Sequence, residues 1–386
     1  MTVAATVAGQ TSGMQNISPE RVRFGARGEF VRELDADVRA YFAEHGLERR
    51  DLPRMYLKSA IILAWFVGSW ALLVFAADGA IEGALCAISL GLSIAGVGMS
   101  IMHDANHGAY SRHHWVNRVF GATLDVMGVS SLVWRRKHNV GHHTYTNLEG
   151  IDYDLDFGGL ARLSAGQTHR WWHRYQHVYL WFFYGFLLPK WVFYDDFVIL
   201  SRRMIGVHKL GRPTPSQLAG FVVAKVFFVS WSIVIPALYH PLWQVALLHL
   251  LAAFALGTTL GTAFQLAHCT SQASFPEPVT DGTAMTTDWA EHQLETTVDF
   301  GAQNRALTWF FGGLNFQVEH HLFPAICHIH YPALAPIVRA AARRHGLLHR
   351  SERTFFDAIA AHVVHLRRMG QVEPVALAIA APKAML

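Results

Sequence analysis

Two long stretches of the chain carry no charge. Ala60 to Ala77 reads "AIILAWFVGSWALLVFAA" and Gly83 to Met102 reads "GALCAISLGLSIAGVGMSIM". Each approaches the ~20 apolar residues needed to cross a bilayer. Only "DGAIE" separates them, so they predict a transmembrane hairpin. A second pair, Leu218 to Tyr239 and Trp243 to Ala267, is joined by "HPL" and predicts another hairpin of the same orientation. The expected spans are 58–78, 82–102, 218–239 and 243–267. Lys225 interrupts the third span near its end, where a long stem can carry the ammonium to the headgroups.

The polar segments give the rest of the organisation. Residues 1–18 lack both periodicity and a signal-peptide pattern, and are expected to be a disordered tail. Residues 19–57 form an amphipathic cytosolic region, in which Phe30, Val31, Leu34, Val38, Tyr41 and Phe42 recur at helical spacing and predict a helix packed on a cytosolic domain. The catalytic body is expected over 58–336, and a cytosolic helical region over 337–386. Arg and Lys crowd the segment between the hairpins, with Arg112, Arg135, Arg136, Lys137, Arg202 and Arg203 among them, whereas the two tight turns have none. This asymmetry places both termini and everything outside the turns in the cytoplasm, for a multi-pass protein of a bacterial plasma membrane. The aromatic run from Val178 to Leu200, broken by Pro189, Lys190 and Asp195-Asp196, predicts helices lying at the interface.

Composition agrees: 52% of residues are hydrophobic and 16% charged, against roughly 25% charged in an ordinary soluble domain. The net charge of +4 is spread over segments rather than gathered into a nucleic-acid-binding cluster. Cys86, Cys269 and Cys327 lie far apart and suggest neither a disulfide framework nor a thiolate site. The 24 histidines against 32 Lys+Arg are the anomaly, and imidazole is the commonest side-chain metal ligand.

Their positions sharpen that suspicion. The second span runs directly into "HDANH", whose His103 and His107 are spaced i, i+4 on one helical face. The fourth ends in "FQLAHC" with His268. Between the hairpins, "HNVGHHTYTN" repeats the i, i+4 pair at His138 and His142 and adds His143. Downstream, "NFQVEHHLFP" presents His320 and His321. Four segments thus bring imidazoles to one membrane face. Eight exceed what one zinc takes, so two metal ions are expected, and nitrogen ligation without thiolate suits zinc, copper, nickel or iron. A site under long apolar helices points to a lipid chain as substrate, and attack on an unactivated C–H bond points to iron with O₂.

"HDANH", "HNVGHH" with "TYTN", and "QVEHH" with "LFP" resemble, in order and separation, the three histidine boxes of the membrane fatty acid desaturases. The likeness runs from about Phe24 to Tyr331. Gln317, where many members have histidine, is similar to the front-end and linoleoyl-CoA desaturase branch. The resemblance implies an all-α membrane fold with four transmembrane helices and a helical cytosolic domain. It implies a non-haem centre of two Fe²⁺ ions that uses O₂ and two electrons to insert a cis double bond into a fatty acyl chain carried on CoA, acyl carrier protein or a lipid. It makes His103, His107, His138, His142, His143, His320 and His321 ligands and matches His268 to the further ligand at the end of the fourth span. The departure at Gln317 leaves open whether it binds iron, orients a bound water or does neither, and His292, in "WAEHQLETT", is open between supplying a missing ligand and a supporting or surface role.

A ligating imidazole usually gives its other N–H to a carboxylate or carbonyl. Asp104, Asp152, Asp156 and Glu319, with Asp154 and Asp299, are the acids near enough in sequence for that task. "HPGG", flavin and iron–sulfur motifs are absent from the sequence, so the cytochrome b5 domain fused to many front-end relatives is not expected. A separate donor, ferredoxin or cytochrome b5 with its reductase, is expected on the basic cytosolic face. A hydroxylase or acetylenase on the same scaffold is the nearest alternative. A metal carrier is disfavoured, because the spans hold little polarity beyond Lys225, Gln244 and His249.

Overall fold

The computed structural model describes residues 22–277 and 284–371. The expected tail at 1–18 and the last fifteen positions of the 337–386 region lie outside them. Among the described residues, four helices are long and apolar enough to cross a membrane: α2 (Pro53–Phe75), α3 (Ala80–Asn106), α7 (Pro215–Ala237) and α8 (Leu242–His268). Their starts follow local chemistry. Pro53 and Pro215 occupy first-turn positions where a missing N–H costs nothing, and Thr214 accepts the Gln217 N–H in a capping box. These starts lie five and three residues before the expected ones, because periodicity alone does not register a cap.

The helices form two hairpins whose turns meet. His240 Nε2 donates to the Val74 carbonyl at 2.8 Å, and the Phe75 and Tyr239 rings lie 5.0 Å apart. The returning helices α3 and α8 pack against each other at glycine: a Cβ on Gly91 would lie 2.3 Å from the Ala252 carbonyl oxygen. Gly257 and Gly261 do the same against Gly185 and Tyr184. The small residues therefore serve close packing. Helix α7 is the outermost span, with Val222, Val223, Val226 and Phe227 exposed along it.

Before the first span, α1 (Glu29–Glu44) buries Phe30, Val31, Leu34, Val38 and Phe42 against α11 (Tyr331–Arg344), as its periodicity predicts. Between the hairpins stand α4 (131–145), α5 (Gln176–Tyr184) and α6 (187–202), followed by the antiparallel pair β1 (Met204–Ile205) and β2 (His208–Lys209). After α8 come α9 (Trp289–Thr296), β3 (Asp299–Phe300), α10 (Gln317–Leu322), α11, β4 (Ser351–Glu352) and α12 (Phe355–Met369), with β3 and β4 parallel.

Lys225 does not reach for the headgroups. Its Nζ lies 2.8 Å from Asp196 Oδ2 and donates to the Gly128 and Val192 carbonyls, with the side chain only 14% exposed. A carboxylate and two carbonyls within reach make an inward turn cheaper than the route to solvent. The pair ties α7 to α6.

Candidate metal centre

The end of the bundle opposite the turns gathers the imidazoles. Helix α3 continues past the apolar stretch, so His103 and His107 stand on the same rod as the second span, beyond a π-helical turn at Val97–Met102. A second π-helical turn, Arg136–His142, lies inside α4. Its i→i+5 pattern widens the helix and lets His142 and His143 diverge. His143 Nε2 lies 3.2 Å from His138 Nε2, while His142 Nε2 lies 3.2 Å from His268 Nε2 at the end of α8. His103 Nε2 is 3.3 Å from His138 Nε2. Helix α10 brings His320 and His321 from below.

The donor atoms fall into two adjacent groups that could each hold a metal ion. His103, His107, His138 and His320 form one, and His142, His268 and His321 the other. His143 joins them through His320 and His321. All the expected histidine ligands except His292 are in this cluster, and all but the partly exposed His107 ring are below a tenth exposed. Nε2 of His107, His320 and His321 is buried without a partner. Burial holds His138, His143, His320 and His321 well below the ordinary imidazole range, so each offers a lone pair. Converging neutral nitrogens with orphaned lone pairs fit metal ions and little else.

Gln317 completes the smaller group. Its Nε2 lies 2.8 Å from His268 Nε2, and its Oε1 is buried without a partner. A half-turn of the amide exchanges the two atoms and sets a carbonyl oxygen beside the His268 nitrogen. His292 stands apart: its Nε2 donates to the Thr146 carbonyl at 2.9 Å and its ring packs 5.0 Å from Phe24. Burial takes its pKa to about 4, leaving it neutral.

Four of the second ring nitrogens are held individually, whereas His143 Nδ1 is buried without a partner. His142 Nδ1 is 3.0 Å from Asp152 Oδ2. Burial pushes His142 down, but the Asp152 and Asp154 carboxylates outweigh it and leave the group raised. His268 Nδ1 faces the Thr296 carbonyl at 3.3 Å, His320 Nδ1 the Tyr331 hydroxyl at 3.2 Å, and His321 Nδ1 the Gln293 Oε1 at 2.8 Å. Thr296, Tyr331 and Gln293 escaped the sequence reading, since neutral partners carry no charge signal. Asn147, the last residue of "TYTN", adopts φ 58° and donates to the His268, Ser274 and Thr296 carbonyls, a left-handed turn that suits asparagine.

Among the acids picked from sequence, only Asp152 takes a cluster imidazole at hydrogen-bond distance. Asp104 holds His328 at 2.8 Å, because its carboxylate leaves α3 on the face away from His103. Glu319 pairs with His349 at 3.0 Å beside Asp299. Asp156 is exposed and caps the Gly158 N–H. Asp154 pairs with Lys137 at 2.6 Å. Trp191, within the aromatic run expected at the interface, lines the cavity beside the histidines.

That cavity, of about 240 Å³, ends on His138, His142 and His268. Its walls are Trp134, Tyr184, Leu187, Trp191 and Phe264, and its rim carries Phe183, Lys190 and the exposed Asp156. An apolar slot with a charged rim suits a chain with a polar head.

Residues 79–353 match the model of the fatty acid desaturase family. The chain is 40% identical to an sn-1 linoleoyl-lipid 6-desaturase of Arthrospira platensis, over 90% of this chain and 95% of that protein. It is 37% identical to an sn-1 linoleoyl-lipid 6-desaturase of Synechocystis sp., over 92% and 99%. It is 35% identical to an acyl-lipid (8-3)-desaturase of Physcomitrium patens, over 89% and 72%.

Proposed function

The chain belongs to the fatty acid desaturase family, and from that premise we propose that it inserts a cis double bond near the carboxyl end of an acyl chain carried on a membrane lipid. The observation that carries this reading is the apolar cavity ending on His138, His142 and His268, three of the eight gathered imidazoles. The carboxyl-proximal position and the lipid carrier follow the names of its relatives.

The centre would take two iron ions: His103, His107, His138 and His320 would hold one, His142, His268, His321 and Gln317 would hold the other, and His143, next to both groups, would be open to either. Bound ferrous iron with O₂ supplies an oxidant able to take hydrogen from an unactivated C–H bond. Two adjacent methylenes lose one hydrogen each, and O₂ with two electrons and two protons leaves as two waters. The electrons come from a separate ferredoxin or cytochrome b5 system at the cytoplasmic face.

The protein's part is positioning. Asp152, Gln293, Thr296 and Tyr331 fix ring orientations. Trp134, Trp191 and Phe264 confine the chain beside the imidazoles and keep water away from them. The test is expression in a host supplying ferredoxin and its reductase, followed by location of new double bonds in the lipids. Loss of two hydrogens is the expected outcome, and gain of one oxygen would assign a hydroxylase. The products should vanish with His142→Ala; their persistence would remove that residue from the centre.

A further inference from the structure

Two acids that leave the histidine cluster alone are buried in small clusters of their own, and the clusters differ in how their charge is met. Asp104 stands with Cys327 and His328, close enough to share an ion. A lysine already answers that charge: Lys58 Nζ lies 2.8 Å from His328 Nε2, and His328 Nδ1 lies 2.8 Å from Asp104 Oδ2. Glu319 stands with Asp299 and His349. There, among the described residues, no lysine or arginine pairs with either acid, and Arg339 exerts its charge on Glu319 from an exposed position on α11. The side chains of Asp299 and Glu319 are 0% exposed and that of His349 is 2% exposed.

The cluster has the spacing of a donor set. His349 Nε2 is 3.0 Å from Glu319 Oε1 and 3.4 Å from Asp299 Oδ2. Donors at about 2.0–2.1 Å from a tetrahedral zinc ion lie roughly 3.3 Å from one another, so the separations match the edges around one ion. The two carboxyl groups face each other within hydrogen-bonding range, yet Asp299 Oδ2 and Glu319 Oε2 are buried without a hydrogen-bond partner. Opposed carboxylates persist in such a place only with a proton or a cation between them. An imidazole nitrogen turned to both acids at ligand spacing favours the cation. Both oxygens of Glu319, Oδ2 of Asp299 and Nε2 of His349 make four donor atoms, the number that closes a structural zinc site. The imidazole favours zinc over magnesium or calcium, which take oxygen alone.

We propose that Asp299, Glu319 and His349 form a third metal site, separate from the histidine cluster, that holds one zinc ion. Its role is mechanical. Glu319 lies on α10 among Gln317, His320 and His321, Asp299 lies on β3 and accepts the Val318 N–H at 3.0 Å through its other oxygen, and His349 belongs to the loop before β4. An ion here clamps the helix that carries three members of the metal centre to β3 and to the chain after α11. Leu348, next to His349, is exposed, so the loop gives an ion a way in from the surface.

The test measures metal in the full chain, grown with iron and zinc, purified in detergent and loaded with iron. Elemental analysis should find about one zinc per chain, and zinc K-edge absorption should show a single imidazole with oxygen for the remaining neighbours. Several imidazoles around zinc would place it in the histidine cluster and overturn the proposal. So would the absence of zinc after dialysis against it, which would leave the two acids sharing a proton. His349→Ala and the isosteric Asp299→Asn should each weaken zinc binding against a competing chelator by about 100-fold or more, at least the cost of losing an outer partner, while iron stays bound. Unchanged zinc affinity in both variants, or loss of iron with zinc retained, overturns the site; where His349→Ala fails to fold, the absorption spectrum of the unaltered protein decides. Stripping zinc should speed amide exchange over 317–322, and unchanged exchange there overturns the clamp. Wild-type protein that binds zinc in this way but forms no double bond sinks the desaturase reading and leaves the zinc site standing.

Discussion

At the scale of single residues, the centre depends on which nitrogen of each ring is free. Asp152 leaves only Nε2 of His142 for a metal. Asp152→Asn is expected to weaken metal binding about 10–100-fold, the usual cost of losing such a partner, measured as iron per chain against a competing chelator. Gln317 is the odd member of the third box, and its place beside His268 gives it a donor's position. Gln317→Leu should release iron from one of the two positions with a loss at least as large, about 10–100-fold in affinity, while Gln317→His should keep two irons. Equal iron in Gln317→Leu would make the amide a bystander. Seven of the imidazoles were legible because they sit in dense local motifs, and the lone His268 through its match to the family's ligand at the end of the fourth span. The partners of their second nitrogens were not, since Thr296, Gln293 and Tyr331 approach from other segments and carry no charge.

At the scale of elements, helices are fixed to each other by buried polar links as much as by apolar faces. Lys225→Met would leave Asp196 buried without its cation, a cost of about 3–5 kcal/mol. The expected result is a markedly lower midpoint in thermal scans of the detergent-solubilised protein; an unchanged midpoint would show that α6 needs no tether. Helix α12 is docked through His365, whose Nε2 donates to the Leu163 carbonyl at 2.8 Å. Burial lowers its pKa to about 3. Undocked, the ring returns to about 6.5 and binds a proton that the docked ring refuses, so docking is intact above that pH and weakens as pH falls below it. By pH 5 the loss is about 2 kcal/mol. Amides of 355–369 should exchange faster at pH 5 than at pH 7 after correction for intrinsic rates, and His365→Gln should reduce the difference without abolishing it, because burial also lowers His362 on the same helix to about 4. The existence of the spanning helices was plain from uncharged length. Their starts were not, because a cap or a first-turn proline is a matter of single residues, and the π-helical turns in α3 and α4 leave no periodic trace.

At the scale of the whole molecule, both hairpin turns meet at one end and the histidines at the other, which divides the protein into a lipid-embedded half and a catalytic half. Under the proposed function, a catalytic half facing the cytoplasm would offer its Arg and Lys residues as a docking face for an acidic electron donor. Turnover with purified ferredoxin should fall as ionic strength rises from about 0.01 to 0.15 M, where the Debye length contracts from ~30 to ~8 Å; salt-independent turnover would count against charge-guided docking. The sequence by itself determined the spans, their pairing and the identity of the clustered histidines, because hydrophobic length and local spacing are properties of consecutive residues. Only the tertiary structure decided that Gln317 rather than His292 stands among the imidazoles, that Asp104, Asp156 and Glu319 serve elsewhere, and that Lys225 turns inward. Each of those outcomes depends on distance between segments remote in the chain, which burial and hydrogen-bond satisfaction fix and which no local pattern encodes.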